Sequence, residues 1–101
     1  MKKIALSALV LSILLCSQAS AHTLYFTQSE YDDTSVEVEG MYSTGTPAAK
    51  TTVRLLSKQD GRVLWEGRTD EFGSCVFERP DEPYDVEIDA GPGHQARQDG
   101  M

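Results

Sequence analysis

The chain has 101 residues, with 16 acidic against 9 basic side chains and a formal charge of −7. A balance this acidic argues against nucleic acid or an anionic membrane surface as partner. The length allows one small domain, which buries only about 60–65% of its unfolded surface and so holds a thin margin of stability.

The first 21 residues read as a cleavable secretory signal peptide. Met1-Lys2-Lys3 is a basic start, Ile4 to Leu15 an apolar run, and Ala19-Ser20-Ala21 puts small residues at the −3 and −1 places. The apolar run is short for a membrane span, and no later stretch is apolar enough to be one. Cys16 follows Leu15, where a lipoprotein signal wants a small residue. Cleavage after Ala21 is expected, giving a signal peptide at 1–21 and a single domain at 22–101. The domain then keeps all 16 acids against 7 basic residues, a net −9. It also keeps one cysteine, Cys75, so no internal disulfide can form despite export.

The rest of the chain alternates between short apolar–polar strands and turns. Thr23 to Phe26 begins the first strand, and the polar run Gln28 to Asp33 reads as a turn. Val36-Glu37-Val38-Glu39 alternates cleanly and continues through Gly40 to Tyr42, with Gly40 expected to mark a bend or bulge. Ser43 to Pro47 is a turn cluster. Thr51 to Leu55 is the third strand, the Asp60-Gly61 pair a hairpin signal, and Val63 to Gly67 the fourth strand. Thr69 to Gly73 is a tight turn, with Asp70 bonding forward to the backbone and Gly73 in a left-handed conformation. Cys75 and Phe77 share a face of the fifth strand, and Pro80 and Pro83 bracket a loop. In the sixth strand Tyr84, Val86, Ile88 and Ala90 face the core while Asp85, Glu87 and Asp89 face water. Gly91-Pro92-Gly93 breaks the pattern, His94 to Arg97 is a last short strand, and Gln98 to Met101 is expected to fray.

No helix of ten residues, heptad, repeat or linker is present. Six to seven short strands predict an all-β antiparallel sandwich of prealbumin or immunoglobulin type. Its core is expected to draw on Leu24, Phe26, Val36, Val38, Val53, Leu55, Val63, Trp65, Phe77, Val86 and Ile88.

Candidate chemistry is sparse. There is no nucleophile elbow, phosphate loop or zincin helix, and Cys75 sits in phase with Phe77, in the core, where thiols are inert. No reaction is therefore expected. The carboxylates lack calcium-loop spacing and read as a solvated sheet face. Met41 and Met101 are candidate thioether ligands, but packing and a loose tail explain them more simply. Trp65, Tyr25, Tyr42 and Tyr84 read as strand packing before a carbohydrate platform.

The two histidines are the exception. Cleavage after Ala21 makes His22 the first residue. Its α-amine and imidazole both lose a proton near neutral pH and can chelate one metal ion. Neutral nitrogen donors suit nickel, cobalt, copper and zinc. His94 supplies a third nitrogen if the first and sixth strands are neighbours and the two histidines meet at one end of the sandwich. On the residues alone, the other reading is an incidental terminal histidine and an ordinary loop histidine.

In order along the chain, Gly45-Thr46-Pro47-Ala48, Val53-Arg54-Leu55, Asp60-Gly61-Arg62-Val63, Thr69 to Gly73, and Phe77 resemble the prealbumin-like sandwich of carboxypeptidase regulatory-like and Cna-B-type domains. That resemblance implies a fold and no function. At the two ends, Ala21-His22, the Val36 to Ser43 strand and Asp89 to Ala96 resemble small exported proteins that accompany nickel or cobalt uptake transporters of the energy-coupling-factor type. This implies a periplasmic, non-catalytic binding or delivery accessory for nickel or cobalt, with copper as a further candidate. The metal ion would be held by His22 and His94, and a membrane metal transporter would be the partner. Members of that group often continue into a C-terminal membrane helix, whereas this sequence ends at Met101. The expectation is a chain free in the periplasm or held by a partner. A transthyretin-like hydrolase is excluded, because the last residues are Gln98-Asp99-Gly100-Met101 and not a tetrapeptide ending in Gly-Ser. The competing expectation is an exported structural or protein-interaction sandwich with no metal site, and a weaker one is a carbohydrate-binding module.

Overall fold

The computed structural model describes residues 23–101; the expected signal peptide and His22 lie outside the described residues. Period-two alternation yields seven strands: β1 (Leu24–Glu30), β2 (Ser35–Tyr42), β3 (Thr52–Ser57), β4 (Val63–Arg68), β5 (Ser74–Glu78), β6 (Tyr84–Asp89) and β7 (Gln95–Asp99). They form two antiparallel sheets, β1-β2-β5 and β4-β3-β6-β7, packed as the expected all-β sandwich.

The inner faces bury Leu24, Phe26, Val36, Val38, Cys75 and Phe77 from one sheet and Val53, Leu55, Tyr84, Val86 and Ile88 from the other. Each such side chain contributes about 1.5–3 kcal/mol when fully buried. The Phe77 ring meets the edge of Tyr84 at 6.0 Å and the tilted indole of Trp65 at 5.9 Å.

Four aspartates hold turns in the same way. Asp32 accepts from the Thr34 amide at 2.9 Å, Asp60 from Arg62 at 3.1 Å, Asp70 from Phe72 at 2.8 Å and Ser74 at 3.0 Å, and Asp89 from Gly91 at 2.9 Å. These amides hold each carboxyl below its ordinary range.

Four expectations are corrected. First, Val63 is 54% exposed and Trp65 36% exposed, so neither is a core residue. The register of β3 on β4 shifts between Leu55 and Leu56: Leu55 opposes Trp65, Leu56 opposes Val63, and Leu64 is the extra residue. One extra residue reverses the alternation, turning Val63 outward and Leu64 toward the core. Trp65 still points inward, but from an edge strand that covers only part of it.

Second, Gly40 marks no bulge. It pairs in regular register with Phe26 and is needed for close approach. A Cβ there would lie 2.5 Å from Ile88 Cδ1 and 3.1 Å from Ala48 Cβ.

Third, Gln28 to Glu30 belong to β1, paired opposite Val38 to Val36. Fourth, Gln98 and Asp99 belong to β7, and the tail is tied down. Gln98 Nε2 donates to Phe26 O at 2.6 Å, and Gln28 Nε2 donates to Gln98 Oε1 at 3.0 Å and to Asp99 O at 2.9 Å. Gly100 N donates to Tyr84 O at 2.8 Å, and the Tyr84 hydroxyl donates to Met101 O at 3.1 Å. The glutamine bonds close the β1–β7 side of the sandwich, and the Gly100 and Tyr84 bonds tie the tail to β6.

Candidate functional site

His94 sits in the connection between β6 and β7. Asp89 Oδ1 accepts from Gly91 N at 2.9 Å, His94 N donates to Gly91 O at 2.9 Å, and Ala90 N donates to His94 O at 2.8 Å. Gly91 and Gly93 take φ of 115° and 79°, a region that disfavours side chains, so the two glycines allow the turn that presents the imidazole.

Tyr42, at the end of β2, meets the His94 ring edge-on at 6.1 Å and 83°. Thr44 and Thr46 come from the following turn, where Tyr42 N donates to Thr46 O at 2.9 Å and Gly45 N to Tyr42 O at 2.8 Å. These four residues line a shallow depression of about 310 Å³. His94 Nδ1 is buried and has no hydrogen-bond partner.

The start of β1 lies at the same end. Ser43 N donates to Thr23 O at 2.8 Å, and Thr23 N donates to Ser43 Oγ at 3.1 Å. The described chain therefore enters beside the residue that follows Tyr42. The route differs from the expected one: β1 and β6 belong to opposite sheets and are not neighbours. Tyr42, reaching from β2 to His94, makes the connection.

Other candidates are occupied elsewhere. The Asp85, Glu87 and Asp89 row is a neutralised ladder. Arg54 bonds Glu66 at 2.8 Å, Glu87 at 3.2 Å and Asp89 at 3.0 Å. Lys58 bonds Asp85 at 2.7 Å and Asp99 at 2.6 Å, and Arg97 approaches Glu87 at 3.5 Å. The hydrogen bonds that Arg54 and Lys58 donate to these carboxylates raise their affinity for their own protons. Glu82 is bonded to Ser57 at 2.7 Å and Arg62 at 2.9 Å.

Cys75 is buried, and desolvation, then the charge of Asp70, pushes its thiol upward. The Met41 sulfur accepts from the Tyr25 hydroxyl at 3.2 Å. The aromatics form no single platform: Tyr84 is in the core, Tyr42 is beside His94, and Trp65 is on the β4 edge. Among the described residues no three His, Cys, Asp or Glu side chains gather as a metal cluster, and no helix is long and apolar enough to cross a membrane.

Reading the residues missed Tyr42, Thr44 and Thr46 as neighbours of His94. They are 48 to 52 positions away in sequence, and only the pairing of β1 with β2 and the stacking of the two sheets bring them together.

No family model matches the chain, and no curated protein or solved structure matches it.

Proposed function

We propose that the protein is an exported, non-catalytic binding or delivery accessory for a divalent transition metal ion. Nickel or cobalt is favoured by the resemblance of its two ends to uptake-accessory proteins, and copper is a further candidate. The periplasm would be its compartment and a membrane metal transporter its partner. The ligands would be the amine and imidazole of His22, freed by cleavage after Ala21, and the imidazole of His94. A carboxylate or water would fill remaining positions.

The observation that carries this reading is His94 lining a shallow depression at the end of the sandwich where β1 begins. His22 is joined directly to Thr23, whose backbone is bonded to Ser43, next to Tyr42 and hence to His94. The described chain begins at Thr23, at that end of the sandwich. Its amine and ring belong to one residue and form a chelate with little further ordering cost. The shallow, open depression suits capture and release better than permanent burial of an ion.

The test is calorimetric titration of the protein beginning at a free His22 with Ni(II), Co(II), Cu(II) and Zn(II). The comparison protein carries one additional residue before His22, which takes the free amine off that histidine. One-to-one binding that weakens at least about tenfold in the extended form and in His94→Ala is expected, roughly the loss of one nitrogen ligand. Equal binding in all three forms would refute the site. Rank order among the metals would not identify the physiological ion, because copper wins on intrinsic affinity.

A further inference from the structure

The two long sides of the sandwich differ. The β1–β7 side is closed by Gln28 and Gln98. The opposite side presents β4, an edge strand of the four-stranded sheet, together with half-exposed Trp65 and exposed Val63. Long exposed edges invite pairing, and bulges or charges usually block it. In β4 the bulge falls at Leu64, near its start. The stretch from Trp65 to Thr69 stays regular.

Thr69 N donates to Thr51 O at 2.9 Å. Antiparallel ladders alternate direction residue by residue, so the main-chain groups of Glu66 and Arg68 point away from β3, toward solvent. These two residues carry opposite charges on the outer face of the strand and both are exposed; within one copy Glu66 accepts from Arg54 at 2.8 Å and Arg68 Nη2 donates to Lys50 O at 2.6 Å, so pairing across the axis would share or exchange these contacts. An antiparallel pair with its two-fold axis at Gly67 would set Glu66 opposite Arg68 of a second copy, twice by symmetry. In that register the outward main-chain groups face each other and can exchange four hydrogen bonds. A shift by one residue would break both the bonding pattern and the charge match.

Gly67 fits the same arrangement. The Trp65 indole lies against it, where a Cβ would meet ring atoms Cη2 and Cζ2. Adjacent Gly67 residues across the axis would bring the two indoles together. The net negative charge of the chain works against association at long range. This strand is charge-complementary to itself.

We propose that β4 is a self-pairing interface through which two copies of this chain form a continuous eight-stranded sheet, in the register that sets Glu66 against Arg68 of the second copy. The inference is independent of the metal site, which uses other strands. The contact is short, so a weak, concentration-dependent dimer is expected.

The test is sedimentation equilibrium of the purified exported protein up to roughly 1 mM, the range where weak pairs assemble. Arg68→Glu and Glu66→Arg each set like charges opposite one another twice, and each should weaken dimerisation by about tenfold or more. The double variant restores opposite charges and should recover dimerisation to within about threefold. Hydrogen exchange on the unaltered protein gives a reading that needs no variant: the Glu66 and Arg68 amides should gain protection with concentration. The sole tryptophan, Trp65, should change its emission in step. A monomer throughout, a dimer indifferent to both single reversals, or a dimer without concentration-dependent protection at these two amides would overturn the proposal. The last two outcomes would point to another face or to a different protein partner.

Discussion

Replacing Gly40 by alanine tests how the two sheets are held together behind the His94 depression. Gly40 has no positive φ, so the backbone tolerates alanine, and removing glycine's freedom in the unfolded chain stabilises by about 0.4–1 kcal/mol. Against this stands the new methyl, 2.5 Å from Ile88 Cδ1 and 3.1 Å from Ala48 Cβ. Ile88 and Ala48 are fully buried and have little room to yield, and overpacking of this kind costs about 1–3 kcal/mol. The net expectation is a loss of about 1–2 kcal/mol.

Ile88→Val removes Cδ1 and by itself costs about 0.5–1.5 kcal/mol. With Cδ1 gone, the tight contact left to the alanine methyl is Ala48 at 3.1 Å, with Gly73 O at an ordinary 3.9 Å. The double variant should therefore be about 1 kcal/mol more stable than the sum of the two single changes. Urea unfolding followed by circular dichroism, with equal slopes for all four proteins, measures the cycle. A Gly40→Ala variant as stable as the parent, or additivity within about 0.3 kcal/mol, would refute the close-approach argument. Because Ala48 N donates to Gly40 O at 2.9 Å, the same substitution should also shift the amide signals of Thr44 and Thr46.

Other expectations are simpler to check. Asp70→Asn should lower stability at neutral pH, since backbone amides hold its folded carboxyl below the ordinary value. A depressed folded pKa gives stability that is present above the unfolded value of about 3.9 and lost as pH falls through the folded one. The difference between parent and variant should accordingly fade in acid unfolding curves below about pH 4. A difference that persists to the most acidic point would contradict this. Cys75 should react with a disulfide reagent at pH 8 only when the protein unfolds, because burial raises its thiol; fast native labelling would show an open core. Gln98→Ala removes the donor to Phe26 O and the acceptor for Gln28. It should cost about 1–2 kcal/mol in thermal unfolding, and a neutral effect would mean that the β1–β7 side is held by other contacts.

Much of the fold was legible in local pattern. Clean alternation in Val36 to Glu39 and Tyr84 to Ala90 fixed two strands and their buried faces, because period two has only one way to bury every valine and isoleucine. Asp-Gly and Asp70 to Gly73 placed turns through short-range bonds that depend on neighbours in sequence. The same logic failed at Val63, where a single extra residue at Leu64 reversed the alternation. It failed again at Gly40, whose reason for being glycine is Ile88, 48 positions away. Gln98 to Asp99 looked like a loose polar tail because its partners, Gln28 and Phe26, come from the first strand. The two histidines could be singled out from their chemistry alone. Tyr42, Thr44 and Thr46 around His94 emerged only once the sheets were stacked, since that packing sets which strand ends share one end of the sandwich.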